Sequence, residues 1–195
     1  MEPREGNVVR NNTLRRCGSY GVMVYGKSSI VADNAFYYAG QASIAVGPQD
    51  YDAAIITGTQ ITRNRIYKSS GDGIELVRAQ KTVVDSNVIV DSAKNGIVLG
   101  LSSGRCTIKY NTIRKCRMSG LRIRGADGNN FTNNKISFCK KGINAEAGSN
   151  RNRMINNRAS KNTFFDLSDS SANCGSNVWK GNTGKGNRAC TQQQK

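Results

Sequence analysis

Asn87-Val88-Ile89-Val90-Asp91-Ser92-Ala93-Lys94-Asn95-Gly96-Ile97-Val98-Leu99 holds two short phrases that recur through the 195 residues. The first, Asn followed two residues on by an apolar residue, appears at Asn12, Asn34, Asn64, Asn87, Asn111, Asn134 and Asn157, at spacings of 22, 30, 23, 24, 23 and 23. The second is Gly, apolar, any, apolar, about nine residues later, as in Gly73-Ile-Glu-Leu76, Gly96-Ile-Val-Leu99 and Gly120-Leu-Arg-Ile123. Both alternate over three to five positions, the period of a short strand and too brief for a helix.

A unit of about 23 residues built from two or three such strands cannot bury its apolar side alone, so successive units must stack. The expected fold is all-β, a single-stranded right-handed parallel β-helix of about seven to eight coils with a C-terminal cap. Residues 1–165 form the repeats and 166–195 the cap of the same domain. The recurrent Asn is expected in a left-handed turn, its amide bonded to the equivalent amide of the next coil. The same register puts Cys116 beside Cys139, five residues after a repeat Asn. Small thiols filling a tight turn is the preferred reading, and a bonded pair the other. Cys174 and Cys190 flank Trp179 beyond the last regular coil, and a disulfide between them is expected to close the solenoid end. That implies an oxidising compartment, hence a secreted or periplasmic protein. The first coil begins near Met1 with nothing to cover it, so a capping domain or chain is expected there.

These phrases resemble the right-handed parallel β-helix superfamily of pectate lyases, polygalacturonases, alginate lyases, mannuronan epimerases and bacterial carbohydrate-binding and sugar-hydrolase repeat domains. The resemblance runs from residue 7 to about 165. It implies a fold, and not one reaction, because one solenoid carries many chemistries. In the polygalacturonase family the coils matching Gly71-Asp72-Gly73-Ile, Asn95-Gly96-Ile and Gly120-Leu-Arg122-Ile-Arg124 resemble Asp-Asp-Cys-Ile, Gly-His-Gly-Leu and Gly-Val-Arg-Ile-Lys. Only Asp72, Arg122 and Arg124 survive the comparison; Gly71 and Asn95 stand at the other catalytic places. One carboxylate cannot serve as both acid and base, so hydrolysis of that type is disfavoured.

The chain has no His, which removes His-dependent nucleophile systems and imidazole-bound zinc. Its net charge is +16, with 29 Lys and Arg against 13 Asp and Glu. Residues 105–161 carry 14 of the basic side chains and 2 of the acidic ones, a net 12 of the 16 charges. Mixed signs mark an ordinary solvated surface; a block of one sign points to a polyanion. The expected ligand face pairs Arg122 with Arg124, bordered by Asn144 and Glu146, with Tyr25 and Glu75 farther along the same columns. Arg114, Lys115, Arg117, Lys140, Lys141 and Lys161 make a neighbouring basic turn, and Tyr37, Tyr38 and Tyr67 offer rings for sugar stacking. A weak calcium site is expected from Asp50 and Asp52 with Asp72 and Glu75; otherwise no cofactor is expected.

The preferred function is binding of acidic polysaccharide through the basic face, as part of a larger carbohydrate-active protein. The alternatives are a polysaccharide lyase or uronate epimerase, with no catalytic residue singled out, and a structural or adhesion solenoid. No membrane partner is expected, and nucleic acid is disfavoured because no recognised binding module is present.

Overall fold

The computed structural model describes residues 6–47, 54–187 and 189–192. Among these residues twenty-two of twenty-four short strands wind into a parallel solenoid with three faces, and the other two, Ile56–Thr57 and Ala79–Gln80, pair with each other. The first face stacks eight strands, from Val8–Arg10 through Thr107–Lys109 to Val178–Lys180. The second stacks seven, from Thr13–Arg15 through Thr112–Arg114 to Arg158–Ser160. The third stacks seven, from Val22–Val24 through Ser119–Ile123 to Phe165–Asp169. Seven three-strand coils and the opening strand of an eighth result, as the repeat count predicts.

Alternation along each strand builds the core. Val31, Ile61, Val84, Ile108, Phe131, Met154 and Trp179 form one inward column, and Phe36, Ile66, Ile89, Ile113, Ile136 and Ala159 another, all buried. The glycine of the second phrase is there for room: a Cβ on Gly73 would lie 2.6 Å from the Gly96 carbonyl oxygen and 2.6 Å from Ile89 Cγ2.

The corner between first and second faces is a buried amide ladder. Asn64 Nδ2 donates to Asn87 Oδ1 at 3.0 Å, Asn87 to Asn111 at 3.0 Å, and Asn111 to Asn134 at 3.0 Å. Each Oδ1 also accepts the backbone N–H of the Asn one coil earlier. The left-handed turn falls elsewhere than expected. It is the preceding residue, Asp33, Arg63, Ser86, Tyr110 or Asn133, that has φ of 54–58°, while the ladder Asn does not. The bend is made one residue early so that the Asn side chain can point inward along the stacking axis.

The other corners use the same device. Between second and third faces, left-handed residues such as Tyr38, Lys68, Lys115, Phe138 and Lys161 precede the inward column Cys17, Ala39, Ser69, Ser92, Cys116, Cys139 and Asn162. Cys116 and Cys139 are neighbours as predicted, and both are free thiols. Cys139 Sγ accepts the Cys116 N–H at 3.3 Å, and Asn162 Oδ1 accepts the Cys139 N–H at 2.8 Å. The thiols therefore fill the turn and stand in for ladder amides. Between third and first faces a second amide ladder, Asn129 to Asn152 to Asn177, ends on Asp169 Oδ2 at 3.1 Å.

Strand geometry persists into the segment beyond residue 165. Phe165–Asp169 pairs with Lys141–Ala145, and Val178–Lys180 with Arg153–Ile155. The Cys174–Cys190 disulfide is present, Trp179 is buried with its Nε1 donating to Asp169 Oδ2 at 3.0 Å, and a one-turn helix, Ala189–Gln192, follows.

Candidate ligand-binding face

The outward positions of the third face stack as the phrase spacing requires: Met23, Ala45, Glu75, Val98, Arg122, Asn144, then Ser168. Two successive coils bring Arg122, Arg124, Lys141, Asn144 and Glu146 together. Arg122 Nε donates to Glu146 Oε1 at 2.7 Å, with the two side chains 23% and 29% exposed. Lys141 Nζ donates to Asn144 Oδ1 at 3.2 Å, and Asn144 Nδ2 to Glu146 Oε1 at 3.5 Å. Glu146 thus borders the pair and also neutralises part of Arg122, whereas Arg124 is exposed and makes no ion pair among the described residues.

The basic turn runs beside this face. Arg114 closes a second-face strand, Lys115 sits at the corner with φ 59°, and Arg117 and Lys140 follow in equivalent places one coil apart. All four are exposed. The tyrosines do not offer the free rings expected of them. Tyr37 and Tyr67 stack on each other at 5.3 Å and 11°, and the Arg15 guanidinium lies 4.3 Å over the other side of the Tyr37 pair. Tyr38 carries Lys68 Nζ 5.4 Å from its centroid. Equivalent side chains on parallel strands lie about 4.8 Å apart, close to ring-stacking distance, so such a column stacks with itself.

Glu75 lies two strands from Arg122 on the third face, and Tyr25 two strands beyond it. There a cleft of about 210 Å³ is lined by Tyr20, Gln41, Asp72, Glu75 and Lys94. Tyr20 escaped the sequence reading, although the column that joins Asp72 to Asn95 reaches it two units earlier. Burial pushes its phenol above the ordinary value, and Glu75, Tyr25 and Asp72 push the same way, so Tyr20 holds its proton. Asp72 serves the turn: its Oδ1 accepts from Asn95 N at 2.7 Å and Asn95 Nδ2 at 2.8 Å. Among the described residues no three carboxyl or thiol side chains gather as a cation site. Asp50 and Asp52, the other half of the calcium expectation, lie outside those residues. Nor is any helix among them long and apolar enough to cross a membrane.

No curated protein sequence matches the chain. Several solved structures share its fold. The mannuronan C-5 epimerase AlgE6 A-module of Azotobacter vinelandii superposes with a TM-score of 0.75 at 17% identity, over 91% of this chain and 52% of that one. A mutant of the periplasmic alginate epimerase AlgG gives 0.73 at 18% identity, over 84% and 37%. The catalytic unit of an α-1,3-glucanase from Streptomyces thermodiastaticus gives 0.55 at 14%, over 94% and 46%. The chain spans about half the length of the first and less of the others. The family model described as the right handed beta helix region matches residues 1–158 and 72–192, and the chain belongs to that family.

Proposed function

We propose that this domain binds acidic polysaccharide on the third face and its adjoining turn, as part of a secreted or periplasmic carbohydrate-active protein. The observation that carries the reading is the gathering of Arg114, Arg117, Arg122 and Arg124 on one coil with Lys140 and Lys141 on the next, beside two carboxylates, Glu146 and Asp91. A guanidinium holds a carboxylate or sulfate with two parallel N–H donors, and the two coils that carry these cations stand about 4.8 Å apart along the axis. That rise is near the length of one sugar in an extended polymer. The cystine supports an oxidising compartment, and the structural relatives that act on glycans support the polymer class.

Titration of the domain with alginate, pectate and heparin tests this. Binding should weaken steeply with salt, and the Arg122→Ala/Arg124→Ala double change should weaken it at least about tenfold. Glu146→Gln should strengthen it, because the Arg122–Glu146 pair competes with an incoming carboxylate. Salt-independent affinity, or a double variant that binds as well as the parent, would sink the reading.

A second reading, a uronate lyase or epimerase, draws on the likeness to AlgE6 and AlgG. The cleft beside Tyr20 speaks against placing that reaction there. A C5 proton needs a base, burial makes the Tyr20 phenol harder to ionise than usual, and two carboxylates, Asp72 and Glu75, face one cation, Lys94. Absorbance from unsaturated uronate, or a shift in epimer ratio by NMR, would revive it.

A further inference from the structure

The corner between second and third faces carries another surface over the last complete coils. Lys115, Phe138 and Lys161 stand one above another there, and Met118, Lys140 and Phe164 occupy the turns that follow. Phe138 and Phe164 are each 54% exposed and Met118 42%. No acidic residue occurs in residues 115–118, 138–141 or 161–164.

Two features describe this ridge. Phe138 has φ 57°, where Asn or Gly is the usual occupant and a bulky side chain is strained. The bend itself belongs to the fold, since Tyr38 and Tyr110 make it too at other coils; what is particular here is a pair of half-exposed phenylalanines on adjoining coils. Moreover, the rings are already partnered: Lys161 Nζ lies 5.4 Å from the Phe138 centroid and Lys140 Nζ 5.1 Å from that of Phe164. A ring with an ammonium over one face is a poor platform for stacking a base or a sugar. An aromatic with its own cation alongside matches the layered chemistry of a bilayer interface, where rings settle at headgroup depth and ammonium groups meet phosphates.

We propose that this ridge is a peripheral docking surface for an anionic lipid bilayer. The sequence alone led us to expect no membrane partner, but surface docking needs no spanning segment. The corner lays Phe138, Phe164 and Met118 along one edge of the solenoid, with Lys115, Lys140 and Lys161 among them. The proposal does not rest on the glycan reading, because its apolar anchors take no part in that one.

The test is co-sedimentation of the whole chain with vesicles of phosphatidylcholine alone and of phosphatidylcholine mixed with phosphatidylglycerol. Each cation near an anionic surface contributes roughly fivefold, so the mixed vesicles should bind at least about tenfold more tightly. Phe138→Asn combined with Phe164→Ser should reduce that binding about tenfold. Asn suits the left-handed corner, so the thermal midpoint should hold, and affinity for acidic glycan should be unchanged. Equal binding to the two vesicle types, binding to neither, or no loss in the double variant would overturn the proposal. So would a single-stranded oligonucleotide that binds more tightly than the mixed vesicles with the same dependence on the two phenylalanines.

Discussion

Asn87 shows how one side chain holds three coils. Its amide donates to Ile61 O at 2.9 Å and to Asn111 Oδ1 at 3.0 Å, and its Oδ1 accepts from Asn64 N at 2.9 Å and Asn64 Nδ2 at 3.0 Å. Truncation strands several buried polar groups, at about 1–3 kcal/mol for each one left unpaired. Asn87→Ala should therefore lower stability by at least about 3 kcal/mol in urea unfolding. Asn12→Ala, at the exposed end of the same ladder, should cost less than about 1 kcal/mol. Equal losses at the two sites would refute the ladder as the source. The ladder was legible because Asn recurs at a fixed period. The bend one residue earlier was not, since Asp33, Arg63, Ser86 and Tyr110 share no chemistry.

Cys106 marks a second point at this scale. It stands in the column Ser29, Thr59, Thr82, Cys106, Asn129, and burial pushes its thiol from the ordinary 9.0 up to about 11. A raised folded value stabilises fully below pH 9.0, and that contribution is lost as pH climbs toward about 11, because the unfolded chain releases its proton first. Cys106→Thr, the residue found at two neighbouring coils, should remove up to about 2–3 kcal/mol of alkaline destabilisation. A variant whose stability falls between pH 9 and 11 as steeply as the parent's would count against it.

At the scale of the strand, the second phrase reads differently once the packing is seen. Gly73 and its equivalents are needed because the third face passes directly over the side chains of the second, with Ile89 and the Gly96 carbonyl each 2.6 Å from where a Cβ would stand. Gly73→Ala should cost about 1–3 kcal/mol by overpacking, whereas adding a methyl at Gly18, which faces open space, should cost little. Urea midpoints of the two variants decide between this and a merely conformational role for glycine. Periodicity revealed the strands and their outward columns, so Arg122, Asn144 and Glu75 were placed correctly by counting. It could not show that Arg122 would spend its Nε on Glu146, or that Tyr37 and Tyr67 would close on each other. Side-chain direction along the axis leaves no trace in spacing.

Over the whole molecule, stability is a sum of neighbour contacts, so an end can loosen without the middle. The Cys174–Cys190 bond spans 16 residues, a loop for which about 3 kcal/mol is typical, and it holds the coil in which Trp179 and Asp169 finish the core and the second ladder. Cys174→Ser should raise hydrogen exchange at Phe165–Asp169 and Val178–Lys180 well before it does so at Ile97–Leu99. Uniform loss of protection would mean a single cooperative unit instead. The cap cysteines were legible because they fall outside the repeat. The second ladder was not, since Ser29, Thr59, Thr82 and Cys106 interrupt its column between Asn7 and Asn129.

The one-way bonding of the Asn ladder bears on how such a molecule varies through descent. Each rung asks only that the next coil present the same amide, and the 30-residue step from Asn34 to Asn64 makes the bond at 3.1 Å, against 3.0 Å across the 23-residue step to Asn87. Duplication or loss of a whole coil in the gene would leave every surviving amide with an equivalent partner. Length is then a heritable quantity that selection can adjust in increments of one coil, separately from the side chains displayed outside.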